Sequence, residues 1–186
     1  SRIFKSANPD FGMYLDITSH KILSFSPENF ITKIDNRILS SPIKGTRPRS
    51  ADKNEDNKLK NDLANSVKDK AEHIMIVDLI RNDLGKICKF GSVTVGELFN
   101  IKSFETVHHM VTEVSGNLDD NINEIEIFKS LFPGGSITGA PKQRAIQIID
   151  QIENYSRGIY TGALGFIKSN GDMNFNIAIR TLNIEN

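Results

Sequence analysis

The run SPIKGTRPRS, residues 41–50, sets Lys44 between an apolar residue and a Gly-Thr pair, with two prolines and two arginines around it. A long cation at the end of a strand-like run can be surface decoration, or a nucleophile if it reacts as the free amine. A second candidate is the loop PGGSITGAPK, residues 133–142, which carries Gly135 and Ser136. Its glycines let backbone N–H groups approach a ligand, and the helix start that follows adds unpaired donors and a favourable dipole, the elements of an anion site. The loop has neither the Gly-Lys-Ser/Thr of a Walker motif nor the spacing of a dinucleotide fingerprint. An ordinary glycine-rich helix entry accounts for it as well as an anion site does.

The remaining candidates are single side chains. Glu72 opens the run AEHIMIVDLIRND; there a carboxylate can bind a hard cation such as Mg2+ with one or two partners and several waters, or face the helix dipole. Asp78, Arg81 and Asn82 are spaced for a structural ion pair. His108 and His109 are adjacent in a strand-like run, so alternation sends them to opposite faces, one toward a site and the other toward solvent or packing. Glu28, in FSPENF, follows a proline at a strand end. It can be a turn residue, or a general acid if its pKa is raised. Tyr160 and Arg180 fall in facing arms of a terminal hairpin, and an arginine within IAIRTL calls for a carboxylate partner from protein or ligand.

These residues need elements to position them. MYLDIT, KILSFSP, FITKID and RILSSPI are short β-rich runs separated by turn residues. Residues 48–58 lack periodicity and read as an exposed loop; a helix starts near Leu59, with Leu59, Leu63 and Val67 four apart. AEHIMIVDLIRNDLGKIC reads as a mostly buried helix ending near Gly85. VTVGELFNIKSF and TVHHMVTEVSG read as strands, NEIEIFKSLF as a short helix, and Pro141 as the first turn of a helix whose apolar face holds Ala145, Ile148, Ile149 and Ile152. GIYTGALGFIK and MNFNIAIRTLNI flank SNGD, a hairpin turn. Strands and helices do not alternate strictly, so the expected class is α+β, with antiparallel sheets and flanking helices.

Length and composition narrow the function. At 186 residues the chain can bury one real core. Lys plus Arg and Asp plus Glu both number 23, leaving no net charge to draw the chain to nucleic acid or a lipid surface. No apolar run approaches the ~20 residues needed to span a bilayer, and SRIFKSANPDFG lacks the apolar core of a signal peptide. The single cysteine, Cys88, rules out an internal disulfide and fits a reducing, cytoplasmic compartment. The chain stops shortly after an apolar strand pattern, as a piece of a longer protein would.

Taken in order, SPENF, PIKGTRPR, AEHIMIVDLIRNDLGKIC, ETVHHMVTEVSG, LFPGGSITGAPKQRAIQIID, RGIYTGALGF and FNIAIRT resemble the successive signature blocks of the chorismate-utilising enzymes. The resemblance covers nearly the whole chain, as part of a single chorismate-binding domain. It implies roles residue by residue. Glu28 is the general acid on the leaving ring hydroxyl, and Gly45 and Thr46 contact chorismate. Glu72 binds magnesium, His109 is the active-site histidine, Gly135 and Ser136 belong to the substrate-facing loop, and Tyr160 and Arg180 hold a substrate carboxylate. Within the family, lysine in PIKGT resembles the aminodeoxychorismate-forming branch, whereas anthranilate synthases usually carry alanine, as PIAGT. The resemblance therefore implies Lys44 as nucleophile, with ammonia from a glutamine amidotransferase subunit or domain. The family's upstream portion and its closing GGGIV-type and EYxE segments, the latter with a further magnesium-binding glutamate, are not in this sequence.

Overall fold

The computed structural model describes residues 11–185; most of SRIFKSANPDFG, which lacks the apolar core of a signal peptide, lies outside them. Alternating apolar and polar residues build the hairpin β1 (Phe11–Ile17) and β2 (His20–Ser26), and β12 (Thr181–Glu185) pairs with the other side of β2. A six-stranded sheet runs in the order β10 (Ala163–Ile167), β11 (Met173–Ile177), β3 (Asn29–Ile34), β4 (Arg37–Ser41), β9 (Val114–Asn117), β6 (Thr94–Val95). A third sheet has the order β5 (Ile43–Pro48), β8 (Val107–Val111), β7 (Asn100–Ser103). Every strand pairing among the described residues is antiparallel. With the helices α1 (Lys53–Asn65), α2 (Val67–Gly85), α3 (Glu124–Leu131) and α4 (Lys142–Ile152), the class is the expected α+β. The SNGD turn also forms as expected: Gly171 takes φ +85° and Lys168 N–H donates to Asp172 O at 2.8 Å.

Three local readings change. Residues 53–58 are helical, not loop. Asp52 caps α1 by accepting from Glu55 N–H at 2.8 Å, and Arg49 grips Asp56 through two hydrogen bonds, at 2.7 and 2.9 Å. Helix α1 ends at Ser66, whose hydroxyl caps α2 by accepting from Asp69 N–H at 3.2 Å. Val67 is thereby turned out to solvent, leaving Leu63 as the buried residue of α1. Helix α2 buries one face only, through His73, Ile76, Val77, Asp83 and Leu84, while Ile74 and Met75 are exposed. The run VTVGELFNIKSF is interrupted at Phe99, φ +61°, and its two halves join different sheets.

The core lies between the six-stranded sheet and α2 and α3. Ile31, Ile38, Met173 and Ile177 from the sheet meet Val77, Leu84, Ile127 and Leu131 from the helices. Burying such side chains contributes roughly 1.5–3 kcal/mol each. Phe128 of α3 stands edge-on to Phe175 of β11 at 4.8 Å. This packing fixes α2 against the strands that carry the candidate site.

Candidate active site

Strand β5 has one residue more than β8 opposite it: Ile43 pairs with Val111, and Thr46 with His109. The extra residue forms a bulge at Lys44–Gly45. Gly45 takes φ +82°, and a Cβ there would lie 2.7 Å from Leu63 Cδ1. Left-handed backbone and the close approach of α1 both demand glycine. The bulge re-aims half-buried Lys44, whose Nζ donates to the Ser136 carbonyl at 2.7 Å, across 92 residues of sequence.

Glu28 lies in the short Pro27–Glu28 connection between β2 and β3, buried to 6 % exposure. Its N–H donates to Ser26 Oγ at 3.2 Å, and its carbonyl accepts from Ile177 N–H at 3.1 Å. Burial pushes its pKa up, against the opposing pulls of a hydrogen bond from Ser136, the Lys44 charge and the Ile43 N–H. The carboxyl is thus biased toward the neutral acid, the state a proton donor needs. A small interior cavity adjoins it, lined by Glu28, Ser40, Asp83, Gly134, Gly135 and Ser136.

The glycine-rich loop presents an acceptor to Lys44, the Ser136 carbonyl, rather than the row of donors its composition suggested. Gly135 has a packing reason: a Cβ there would meet Leu79 Cδ2 at 2.7 Å. Both histidines are buried, at 1 and 3 % exposure, so neither faces solvent. Each ring has protein partners. His108 bridges Ser103 Oγ (2.8 Å) and Asp56 (3.1 Å), and His109 Nδ1 bonds Thr46 Oγ1 at 2.8 Å with its ring edge-on to Phe104.

Sequence reasoning missed His73. It is fully buried on α2, its Nε2 bonds Thr112 Oγ1 at 2.7 Å, and its Nδ1 makes no hydrogen bond among the described residues. Desolvation first, and the Lys44 charge second, pull its pKa down to about 4, so the imidazole is neutral at pH 7. The spacing of His73 with Ile76, Val77 and Leu84 was the available signal, since it places the histidine on the buried stripe.

Other expected site residues lie further out. Glu72 is the sixth residue of α2 rather than its opening, half exposed, with Lys68 Nζ 3.8 Å from its carboxylate. No group of three or more His, Cys, Asp or Glu among the described residues is arranged to hold a metal. What Glu72 offers a cation among the described residues is one half-exposed carboxylate, with any further ligands left to waters or substrate. Tyr160 and Arg180 fall beyond the ends of β10 and β11, not in the paired arms. Tyr160 lies under Arg157 at 5.9 Å, and Arg180, at φ +50°, is exposed and makes no ion pair among the described residues. Asp78 and Arg81 do pair, at 3.6 Å on the surface.

A buried carboxyl whose pKa is pushed up by burial, an amine on a bulge and a glycine-rich loop touching both thus come together on an antiparallel α+β frame. The chain belongs to the chorismate binding enzyme family, whose sequence model matches residues 1–186. It is 46% identical over 175 residues to anthranilate synthase component 1 of Saccharolobus solfataricus, covering 94% of this chain and 42% of that protein. It is equally 46% identical over 172 residues to aminodeoxychorismate synthase component 1 of Escherichia coli, covering 92% of this chain and 38% of the relative. Among solved structures, anthranilate synthase component I from Streptococcus pneumoniae superposes with a TM-score of 0.89 at 32% identity, over 100% of this chain and 40% of that one. The chain thus spans about two-fifths of the length of these proteins.

Proposed function

We propose that this chain carries the nucleophile and general acid of an aminodeoxychorismate synthase component I, which turns chorismate and ammonia into 4-amino-4-deoxychorismate. The observation behind this reading is the β5 bulge, which directs Lys44 to the loop residue that also hydrogen-bonds Glu28. In the reaction so assigned, Lys44 gives up its proton to solvent and the free amine forms a C–N bond to the ring. The ring C–O bond breaks, and Glu28 donates its proton so that the hydroxyl leaves as water. Ammonia then forms the second C–N bond, the Lys44 amine departs, and the Glu28 carboxylate takes back a proton from the new ammonium. Atoms balance as chorismate plus ammonia to aminodeoxychorismate plus water. Thr46 holds His109 in one orientation against the same strand pair. Arg180 and Tyr160 would take a substrate carboxylate, and Gly45 and Gly135 would meet the ring through backbone atoms, the space beside their Cα being taken by Leu63 and Leu79. Glu72 would be one ligand of Mg2+, which when bound supplies charge that holds a carboxylate of the substrate. Ammonia would come from a glutamine amidotransferase partner or domain.

The equal identity to an anthranilate synthase component 1 favours a second reading, anthranilate formation for tryptophan synthesis. Product identification separates the two. Full-length protein supplied with chorismate, ammonia and Mg2+ should yield aminodeoxychorismate by mass spectrometry. Lys44→Ala should lower that turnover by at least about 100-fold while chorismate still binds, the mark of a group acting in the transition state. Anthranilate and pyruvate as products, or near-normal turnover by Lys44→Ala, would remove this reading.

A further inference from the structure

Asp83 and Lys142 are charged, interior and unused by the chemistry above. Asp83 lies on α2 with its side chain 5% exposed, and Lys142, the first residue of α4, is 13% exposed. Lys142 Nζ contacts one carboxylate oxygen of Asp83 and also donates to the Leu131 carbonyl at 2.8 Å. The other Asp83 oxygen accepts from Lys86 Nζ at 2.7 Å. Leu131 ends α3 and Lys142 begins α4, so one ammonium ties together the two ends of the glycine-rich loop, residues 132–141, and fastens both to α2. One turn before Asp83, Leu79 fills the space that a side chain at Gly135 would take. The middle of the loop delivers the Ser136 carbonyl to Lys44, and Asp83 lines the same interior cavity as Glu28.

A buried ion pair is a poor source of net stability, because an apolar pair of similar volume holds a fold as well or better. Its particular effect is to fix position. We propose that Asp83 and Lys142 are positioning residues, a clamp that sets the glycine-rich loop at the height where Ser136 meets Lys44 and Glu28. The proposal rests on the reading of Lys44 and Glu28 given above.

The test uses the full-length protein with three variants: Lys142→Met, Lys142→Arg, and the apolar double variant Asp83→Leu/Lys142→Met. The clamp predicts that Lys142→Met lowers kcat at least tenfold with KM for chorismate changed less than threefold. It also predicts faster amide hydrogen exchange across residues 132–141 and several-fold faster acetylation of Lys44 by an amine-reactive ester. Lys142→Arg should recover part of kcat. The double variant should keep the melting temperature within a few degrees and still lose kcat, which a merely structural pair would not do. Wild-type kcat in the double variant, or unchanged loop exchange in Lys142→Met, overturns the proposal. Loop exchange and Lys44 acetylation do not depend on which product forms, so the clamp and the assigned reaction can fail separately.

Discussion

Lowering the pH should destabilise the protein through His73. The imidazole is fully buried, and its pKa falls from 6.5 to about 4, mainly by desolvation and then by the Lys44 charge. A base with a depressed folded-state pKa contributes stability that is fully present above its unfolded value and is lost as pH falls toward the folded one. The window is therefore pH 6.5 down to about 4. At 1.36 kcal/mol per pH unit, the contribution lost across it is about 3 kcal/mol. Glu28 has the opposite sign: burial raises its pKa, so its contribution is present at low pH and lost as pH rises through the folded value. Asp172, held low by the Asp35 N–H, and Glu153, held low by Arg157, lose theirs only as pH falls through the carboxylate range. The His73 share is isolated by subtraction. Denaturant unfolding of wild type and His73→Gln, with chelator present, gives a stability difference at each pH. Gln can keep the bond to Thr112 but cannot titrate. The difference should swing by about 3 kcal/mol in favour of the variant between pH 7.5 and 4. In a Lys44→Met background the swing should shrink, because the second cause of the depression is gone. A difference curve flat to within about 0.5 kcal/mol, the scatter of an inert substitution, refutes the argument.

Glu28→Gln should lower kcat by about 100- to 10,000-fold, the usual range for a lost general acid, while leaving the melting temperature equal or higher, since the variant cannot bury a charge; a marked fall in melting temperature would contradict the raised pKa. Gly45→Ala should destabilise the protein by about 1–3 kcal/mol in denaturant unfolding, because the new methyl meets Leu63 on a left-handed backbone; a loss under about 0.5 kcal/mol would mean the bulge relaxes freely. Glu72→Gln should raise the Mg2+ concentration for half-maximal turnover at least tenfold with little change in unfolding, as its ion pair is with an exposed lysine 3.8 Å away; an unchanged Mg2+ requirement would remove it from the metal site.

Local pattern made most elements legible, and the misses share a cause. The hairpin at SNGD and the amphipathic pattern of α4 are properties of contiguous residues, so periodicity and turn chemistry reveal them. Helix α1 buries only Leu63 and shows no apolar stripe. Its start is held by Arg49 on Asp56, which in turn receives His108 from β8, so tertiary contacts complete what periodicity does not show. The terminal hairpin was read too long because its apolar run continues past the ladder. Just beyond β10 and β11, Thr161 N–H and the Gly162 carbonyl still bond Ala178, and Thr161 at φ +63° and Arg180 at φ +50° then bend the two arms away. Both histidines of β8 are buried, His108 beside Asp56 of α1 and His109 beside Thr46 and Phe104, contacts that alternation within one strand cannot disclose.

The site shows the same division more sharply. Residue types named Lys44 and Glu28 as candidates, but neither could be given its state from sequence. The β5 bulge exists only relative to β8, and a one-residue surplus has no signature in one strand read alone. The neutral bias of Glu28 comes from being enclosed, and the two groups that oppose it most, Ser136 and Lys44, come from other elements. The groups proposed to react are held by protein partners, Lys44 by Ser136 and the Glu28 backbone by Ser26 and Ile177. Arg180, by contrast, stands exposed without an ion pair among the described residues. Groups that must stay fixed as charge develops are worth most when their orientation is set in advance. A group that binds a ligand's charge loses less if no protein carboxylate must first be displaced from it. That contrast is the physical reason to read Lys44 and Glu28 as chemistry and Arg180 as recognition.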